Sequence, residues 1–460
     1  MGRAGGRERA NHELNLKAST SPWYARAMDR RCAGLLLVVA LGVAACGGRL
    51  APLKRTGPKV LLIGVDAATW HVLDPMMERG DLPNFKALVD RGAHGTLLSM
   101  DPMVSPALWT TIATGTFPER HNVQGFIDED PVNKKQTPIS SNMRKRESLW
   151  TIMTNHQRTV NVVGWYASWP AEEVRGNVVT DHFLPRAASA YWPVSEEEEK
   201  TLGGRTYPRD LLKEIVPLVP TMEEVAKLDG LTIKFKDHMP ENAHLAKLFE
   251  PNRVDETRVR VIEYLMKKTD ADLDMVFLWG IDPMSHLFWK FYEPDTWKGE
   301  PIDPFELAAN KDRIPNYYKK IDRYVGDLVA KEPADTIVVI VSDHGFGPAT
   351  GLSAEGLALS GDHRKEGIIL AAGGPIRKGV RVDGASVVDV TPTILYLLGM
   401  PVGADMDGRV IEGLFDTPLP RPVETIPTYE PKSPRVPSKP IPSPIDDDIL
   451  KQLKSLGYVQ

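Results

Sequence analysis

Cysteine is nearly absent: the 460 residues hold two, Cys32 and Cys46, both close to the N-terminus. The body of the chain therefore has neither a disulfide framework nor a cysteine nucleophile. Positive charge is also scarce, with 56 Lys and Arg against 61 Asp and Glu and a formal net charge of -5. No general field draws such a chain to nucleic acid or anionic lipid, so an anionic substrate must be attracted locally. No nucleic-acid partner is expected. There is no internal repeat, and the apolar stretch Ala33 to Ala45 is too short to span a bilayer comfortably. What remains is ordinary globular composition, 42% hydrophobic and 25% charged, enough for a substantial core.

The N-terminus reads as an address. Met28 to Arg31 is a short basic region, Ala33 to Ala45 an apolar one, and Val43-Ala44-Ala45-Cys46 a small-residue processing site. Because the small residues run straight into Cys46, the segment resembles a bacterial lipoprotein signal, which implies lipidation of Cys46 as the mature N-terminus. An ordinary secretory signal with an incidental cysteine is the alternative. Residues 1–27 are polar and unpatterned, so translation is expected to start at Met28 rather than Met1. The expectation is an exported envelope lipoprotein on the periplasmic face, lipid-anchored in the membrane; Gly47 carries no inner-membrane retention signal and so points to the outer membrane.

Beyond the spacer, Lys59 to Asp66 is a continuous apolar run ending in an acid, the pattern of a strand buried on both faces of a parallel sheet. The same pattern recurs at Thr159 to Gly164, Met275 to Gly280, Thr336 to Asp343 and Ile368 to Ala372. Helix-like stretches alternate with these runs at Leu82 to Arg91, Glu147 to Asn155, Glu256 to Lys268, Tyr317 to Ala330 and Val390 to Leu398. Such alternation predicts an α/β fold, a three-layer sandwich on a mostly parallel central sheet. The expected organisation is an N-terminal extension and signal over 1–46, a core over 59–183 and 254–415, a cap insertion over 184–253, and a proline-rich arm over 416–460. The arm ends in a helix over Asp446 to Leu456, stopped by Gly457. The stretch Phe288 to Pro315 reads as loose and aromatic, a candidate entrance to a site.

Acids and histidines stand where such a fold would gather them. Asp66 and the pair Asp343-His344 end apolar strands, and in open α/β sheets ligands bind beyond the carboxyl ends of strands. Asp282 and His286 are four apart and share a helical face. Asp362-His363 completes a set of carboxylate and imidazole donors suited to two divalent cations, with zinc expected and manganese the alternative that carboxylate-rich ligands allow. Ser105 precedes Pro106, so a helix is expected to begin there with Ser105 at its N-cap and free amides nearby for phosphate oxygens. From the local sequence alone, a capping serine is the simpler reading.

The segment Ser105 to Gly115, with Pro118 to His121, resembles the nucleophile segment of the alkaline phosphatase superfamily, in its type I phosphodiesterase and nucleotide pyrophosphatase branch. The resemblance continues through Gly280 to His286, Ser342 to Gly345 and Gly361 to His363, and covers Lys59 to about Val410. It implies an alkaline-phosphatase-like fold and a catalytic Ser105. It also implies one cation held by Asp66, Asp343, His344 and the Ser105 oxygen, and another held by Asp282, His286 and His363. The implied activity is metal-dependent hydrolysis of a phosphate ester or diester through a phosphoserine. Asp362 is expected to support a ligand, and His121 to be structural.

Trp109, Arg364 and Lys365 are the candidate substrate contacts, with Arg144 and Lys145 as further cations. An arginine on nonbridging oxygens would favour monoesters, and an apolar slot would favour diesters. One rival is a sulfatase, whose modification signal carries an arginine four residues after the nucleophile; here that position is Trp109. The other is a non-catalytic envelope lipoprotein that keeps the fold for binding.

Overall fold

A computed structural model of the chain describes residues 50–184, 203–228, 235–236, 239–240, 243–349, 360–432, 436, 438–443 and 446–455. Cys46 and the signal segment, the acidic run 196–199 and Gly457 lie outside the described residues. Strands are β1 (Val60–Val65), β2 (Gly92–Leu98), β3 (Ile127–Glu129), β4 (Gln136–Pro138), β5 (Val160–Val163), β6 (Gly176–Val179), β7 (Thr206–Tyr207), β8 (Leu273–Leu278), β9 (Ile337–Val341), β10 (Gly345–Pro348), β11 (Gly361–Arg364), β12 (Glu366–Ala372) and β13 (Val380–Ser386). The principal helices are α1 (Trp70–Glu78), α2 (Pro83–Asp90), α3 (Ser105–Thr114), α4 (Leu149–Asn155), α5 (Ala243–Lys268), α6 (Ile281–Tyr292), α7 (Pro304–Asn310), α8 (Arg313–Lys331), α9 (Val390–Leu397) and α10 (Asp446–Ser455).

Nine strands form one sheet in the order β13-β2-β12-β9-β1-β8-β5-β6-β7. Its centre is parallel: β1 lies between β8 and β9, and β8, β5 and β6 continue in the same direction. β12 runs antiparallel to both β9 and β2. Every residue of β1, β8 and β9 is buried, which is why β1 and β9 read as apolar runs and β8 as one interrupted only by Asp274. The expected α/β sandwich with a mostly parallel sheet is the fold observed.

Three expectations need correction. Phe288 to Pro315 is not loose: α6 runs to Tyr292 with Trp289 buried, and α7 and α8 follow. Its scattered prolines include Pro304, in the first turn of α7, where proline is tolerated. Within 184–253, β7 joins the edge of the main sheet against β6, so that part extends the core. The boundary expected at 253 falls inside α5, which continues through Pro251. The C-terminal helix is present, and Leu453 is buried. Among the described residues no helix is long and apolar enough to cross a membrane.

A polar ladder crosses the buried sheet. Asp274 on β8, Asn161 on β5 and Asn177 on β6 stand in register and hydrogen-bond in series, Asn161 Nδ2 to Asp274 Oδ1 at 2.7 Å and Asn177 Nδ2 to Asn161 Oδ1 at 2.7 Å. Lys59 closes the row, with Nζ 2.9 Å from Asp274 and 2.8 Å from Glu332. Burial pushes the Asp274 carboxyl up to about 7, with Lys59 opposing. A one-residue slip of any of these strands would break the row and leave its polar groups buried without partners. Lys59→Met leaves two buried carboxylates without their cation and is expected to destabilise the fold by about 3–5 kcal/mol. A urea-unfolding midpoint within error of wild type would refute this role.

Candidate metal centre and nucleophile

Three adjacent parallel strands deliver the ligands to one edge. Val65 of β1 pairs with Leu278 of β8, and Gly64 pairs with Val341 of β9, so the chain emerges from all three side by side. Asp66 follows β1 at once, its N–H bonded to Leu278 O at 2.9 Å. Asp343 and His344 follow β9, and β8 leads through Gly280 into α6, which carries Asp282 and His286. Ser342 ties two of these segments together, accepting from Ala68 N–H at 2.9 Å and donating to His344 O at 2.7 Å. Ala67, beside Asp66, is held left-handed at φ 61°, a strained backbone of the kind that clusters at functional sites. His363 arrives on a separate hairpin, β10 with β11, opposite Phe346.

The donor atoms converge. His286 Nε2 lies 3.0 Å from His363 Nε2, and Asp282 Oδ1 lies 3.3 Å from the first and 3.2 Å from the second. Asp66, Asp282 and His344 form a second group, and within each group of three the ligand atoms lie within 4.8 Å of one another. Asp282 thus belongs to both. His344 Nε2 is 3.4 Å from Asp66 Oδ1 and 3.7 Å from Asp343 Oδ2, and its ring stacks on His363 at 3.8 Å. His344 Nδ1 faces Gly345 O at 3.0 Å and His363 Nδ1 faces Met103 O at 3.2 Å. A proton on each Nδ1 leaves each Nε2 with its lone pair toward the carboxylates, the arrangement of imidazoles that ligate metal.

The electrostatics of this cluster call for cations. Burial pushes Asp343 up to about 7 and His344 down to about 3. Burial opposes ionisation of Asp282 as well, but His286 and His363 outweigh it and hold its carboxyl well below the usual range. His363 is raised, since Asp282 and Asp343 more than offset its burial. His344 Nε2 is buried without a hydrogen bond, and the buried Asp343 carboxyl has the Asp66 carboxyl beside it. Converging lone pairs and carboxylates in a dry pocket suit a divalent ion such as zinc, whose own charge would replace this balance.

Ser105 is buried at the first residue of α3, not at its cap; Val104, extended at φ -120° and ψ 112°, precedes the helix. The amides are also less available than the sequence suggests. Ala107 and Leu108 N–H both bond to Val104 O, and Pro106 has none. The start of α3 meets the histidines through Met103 O, two residues ahead of Ser105. The helix is anchored by Trp109, which packs in the core 5.1 Å from Trp165 and 4.7 Å from Phe277. Gly64 makes room for it, since a Cβ there would fall 2.6 Å from the Trp109 ring.

Trp109 is therefore a core residue and not a substrate contact. Arg364 is also turned away, its guanidinium donating to His363 O at 2.9 Å and to Pro348 O. Lys365 pairs on the surface with Asp101. Arg144 is buried against Glu172, and Lys145 is exposed. Asp362 Oδ1 accepts from the His363 N–H at 2.8 Å, steadying the backbone that carries this imidazole. His121 is buried between Thr111 Oγ1 at 2.9 Å and Val123 N–H at 3.2 Å, and burial, with Arg144 nearby, lowers it to about 3, so it is neutral and structural.

Sequence reasoning missed the cavity that begins at Pro106, the residue after Ser105. Phe126, Ile139, Tyr166 and Leu184 line it, with Asp181 and His182 as its polar members, and Ile449 and Leu453 reach it from the C-terminal helix. The spacing of these last two on one face of α10 was the available signal; their destination was not legible.

The family model for type I phosphodiesterase / nucleotide pyrophosphatase matches residues 60–393. Among solved structures, human ectonucleotide pyrophosphatase / phosphodiesterase 5 is similar at 15% identity and TM-score 0.43, covering 74% of this chain and 95% of that one. A phosphonoacetate hydrolase from Sinorhizobium meliloti 1021 is similar at 15% identity and TM-score 0.39, covering 65% of this chain and 59% of that one. A putative sulfatase from Bacteroides thetaiotaomicron is similar at 14% identity and TM-score 0.47, covering 78% and 75%. No curated protein sequence matches the chain.

Proposed function

The chain belongs to the type I phosphodiesterase / nucleotide pyrophosphatase family, and from that premise we propose that this phosphoester hydrolase cleaves phosphodiesters in two displacements through a phosphoserine on Ser105. The observation that carries the reading is the convergence of Nε2 lone pairs and buried carboxylates against the start of α3. Asp66, Asp343 and His344, with the Ser105 oxygen, would hold one divalent cation, and Asp282, His286 and His363 the other, with Asp282 close enough to Asp66 and His344 to serve both. When bound, such ions lower the pKa of a hydroxyl or water and stabilise charge on the attacking and leaving oxygens. Zinc suits the mixed donor set, and manganese is compatible with its carboxylates.

In the first displacement Ser105 Oγ bonds to phosphorus as the bond to the leaving oxygen breaks; the Ser105 proton passes to solvent, and the departing alkoxide takes one from solvent to leave as the alcohol. In the second, water attacks the phosphoserine, a phosphate monoester departs and Ser105 is regenerated. In-line attack sets the leaving oxygen opposite Ser105 Oγ. The substituent that stays on phosphorus lies equatorial to that axis, and the cavity that begins at Pro106, aromatic and apolar but for Asp181 and His182, is the candidate place for it. Three of the candidate cations are engaged elsewhere: Arg364 is held by carbonyls, Lys365 and Arg144 by carboxylates. An apolar slot with no such arginine is the diester pattern. Trp109 in the core leaves no place for the sulfatase arginine.

The test compares bis-p-nitrophenyl phosphate, p-nitrophenyl phosphate and p-nitrophenyl sulfate. Burying one aryl substituent is worth about 1.5–3 kcal/mol, so kcat/KM for the diester should exceed that for the monoester by roughly 10- to 100-fold. The sulfate should not turn over. A faster monoester would overturn the diester preference, and turnover of none of the three by metal-replete protein would favour the binding role. The segment running into Cys46 supports an exported protein anchored by lipid at the periplasmic face of the envelope.

A further inference from the structure

Asp255, on α5, is completely buried and has no place among the ligands or the nucleophile. Its Oδ1 accepts from Trp279 N–H at 2.8 Å; its Oδ2 accepts from Gly280 N–H at 2.9 Å and from the Tyr317 hydroxyl at 2.9 Å. Those two amides are the turn between β8 and α6. The turn has almost no freedom, because a Cβ on Gly280 would fall 1.7 Å from Tyr317 Oη. Helix α6 has no side-chain cap of its own at Gly280, and a carboxylate from another helix accepts from the turn's amides instead. Asp282 follows two residues later, and His286 one helical turn beyond.

We propose that Asp255 is a positioning residue for the cation site of Asp282, His286 and His363, fixing the Trp279–Gly280 turn and through it the direction of the first two ligands. This rests on the two-cation reading. A carboxylate is suited to the task because both of its oxygens accept, and three donors meet it here. An asparagine has one accepting oxygen, and its amide group would face an N–H, so at least one bond to the turn is lost. The shift passes directly to Asp282, since α6 starts at the next residue.

The test is a zinc titration of the full-length protein against a chelating dye. Asp255→Asn should weaken zinc binding about tenfold or more, the range seen when outer partners of ligands are removed. Tyr317→Phe, which keeps the ring and removes one donor, should weaken it several-fold. Asp322→Asn is the control: Asp322 likewise accepts backbone N–H groups at a helix start, from Asn84 at 3.3 Å and Phe85 at 2.8 Å, but touches no ligand-bearing turn. It should lower the melting temperature and leave zinc affinity unchanged. Wild-type affinity in folded Asp255→Asn, or an equal loss in Asp322→Asn, would overturn the inference. If Asp255→Asn does not fold, unchanged affinity in Tyr317→Phe overturns it. Wild-type protein that takes up no zinc would overturn the two-cation reading itself, a result distinct from either.

Discussion

Asp282→Ala is expected to cut turnover at least about a thousand-fold and to empty both halves of the centre together. Among the ligands Asp282 has a singular position: it is buried, it faces His286 and His363 at 3.3 and 3.2 Å, and it also belongs to the group with Asp66 and His344. Without it, His286 and His363 face each other with no carboxylate left in their group, and a cation there must share the pocket with any protonated ring. A thousand-fold loss corresponds to about 4 kcal/mol, within the several kcal/mol that bound cations supply to a phosphoryl transition state. Asp66→Ala separates the roles. It removes one ligand from one group and leaves Asp282, His286 and His363 intact, so about one cation per chain should remain where Asp282→Ala retains none. Elemental analysis of the purified variants measures this, with circular dichroism to confirm folding. Near-normal metal content in Asp282→Ala would refute the shared role.

The parts of this site legible in the sequence are those where one strand carries its own message. Val60–Val65 and Ile337–Val341 announce buried parallel strands by apolar runs, and the acids that end them had to emerge at the carboxyl edge. Asp282 and His286 were readable as one helical face. Pairings between remote segments were not. β2 hides behind Gly92 and Gly95, yet those glycines are what let neighbouring strands close in: a Cβ on Gly95 would fall 1.9 Å from Val382 O. Its strand character comes from its partners β12 and β13, not from propensity. The directions taken by the Trp109, Arg364 and Lys365 side chains were not legible for a related reason. Proximity in sequence to a ligand says nothing about which way a side chain turns, and here the core, a hairpin's carbonyls and a surface carboxylate claim all three.

Ser105→Ala should lower kcat by about 10,000-fold or more; because it removes one oxygen and leaves every carboxylate and imidazole of the centre in place, both cations should still bind, which sets it apart from the carboxylate and histidine variants. The alanine fits the same buried helix start, since the anchoring of α3 rests on Trp109, on Thr110 Oγ1 bonded to Pro106 O at 2.7 Å, and on the bond from Trp165 Nε1 to Trp109 O at 3.0 Å. None of these involves the Ser105 hydroxyl. What is lost is the oxygen that takes the phosphoryl group, so residual turnover would be direct attack by water in a site that still binds substrate. Two further readouts follow. Rapidly quenched wild-type protein should carry phosphate on residue 105, and Ser105→Ala should carry none. Ser105→Thr, which keeps a hydroxyl, should retain measurable turnover. If Ser105→Ala kept wild-type rates, the phosphate would be reaching water without passing through the protein; the cation cluster could stand, but the double displacement could not.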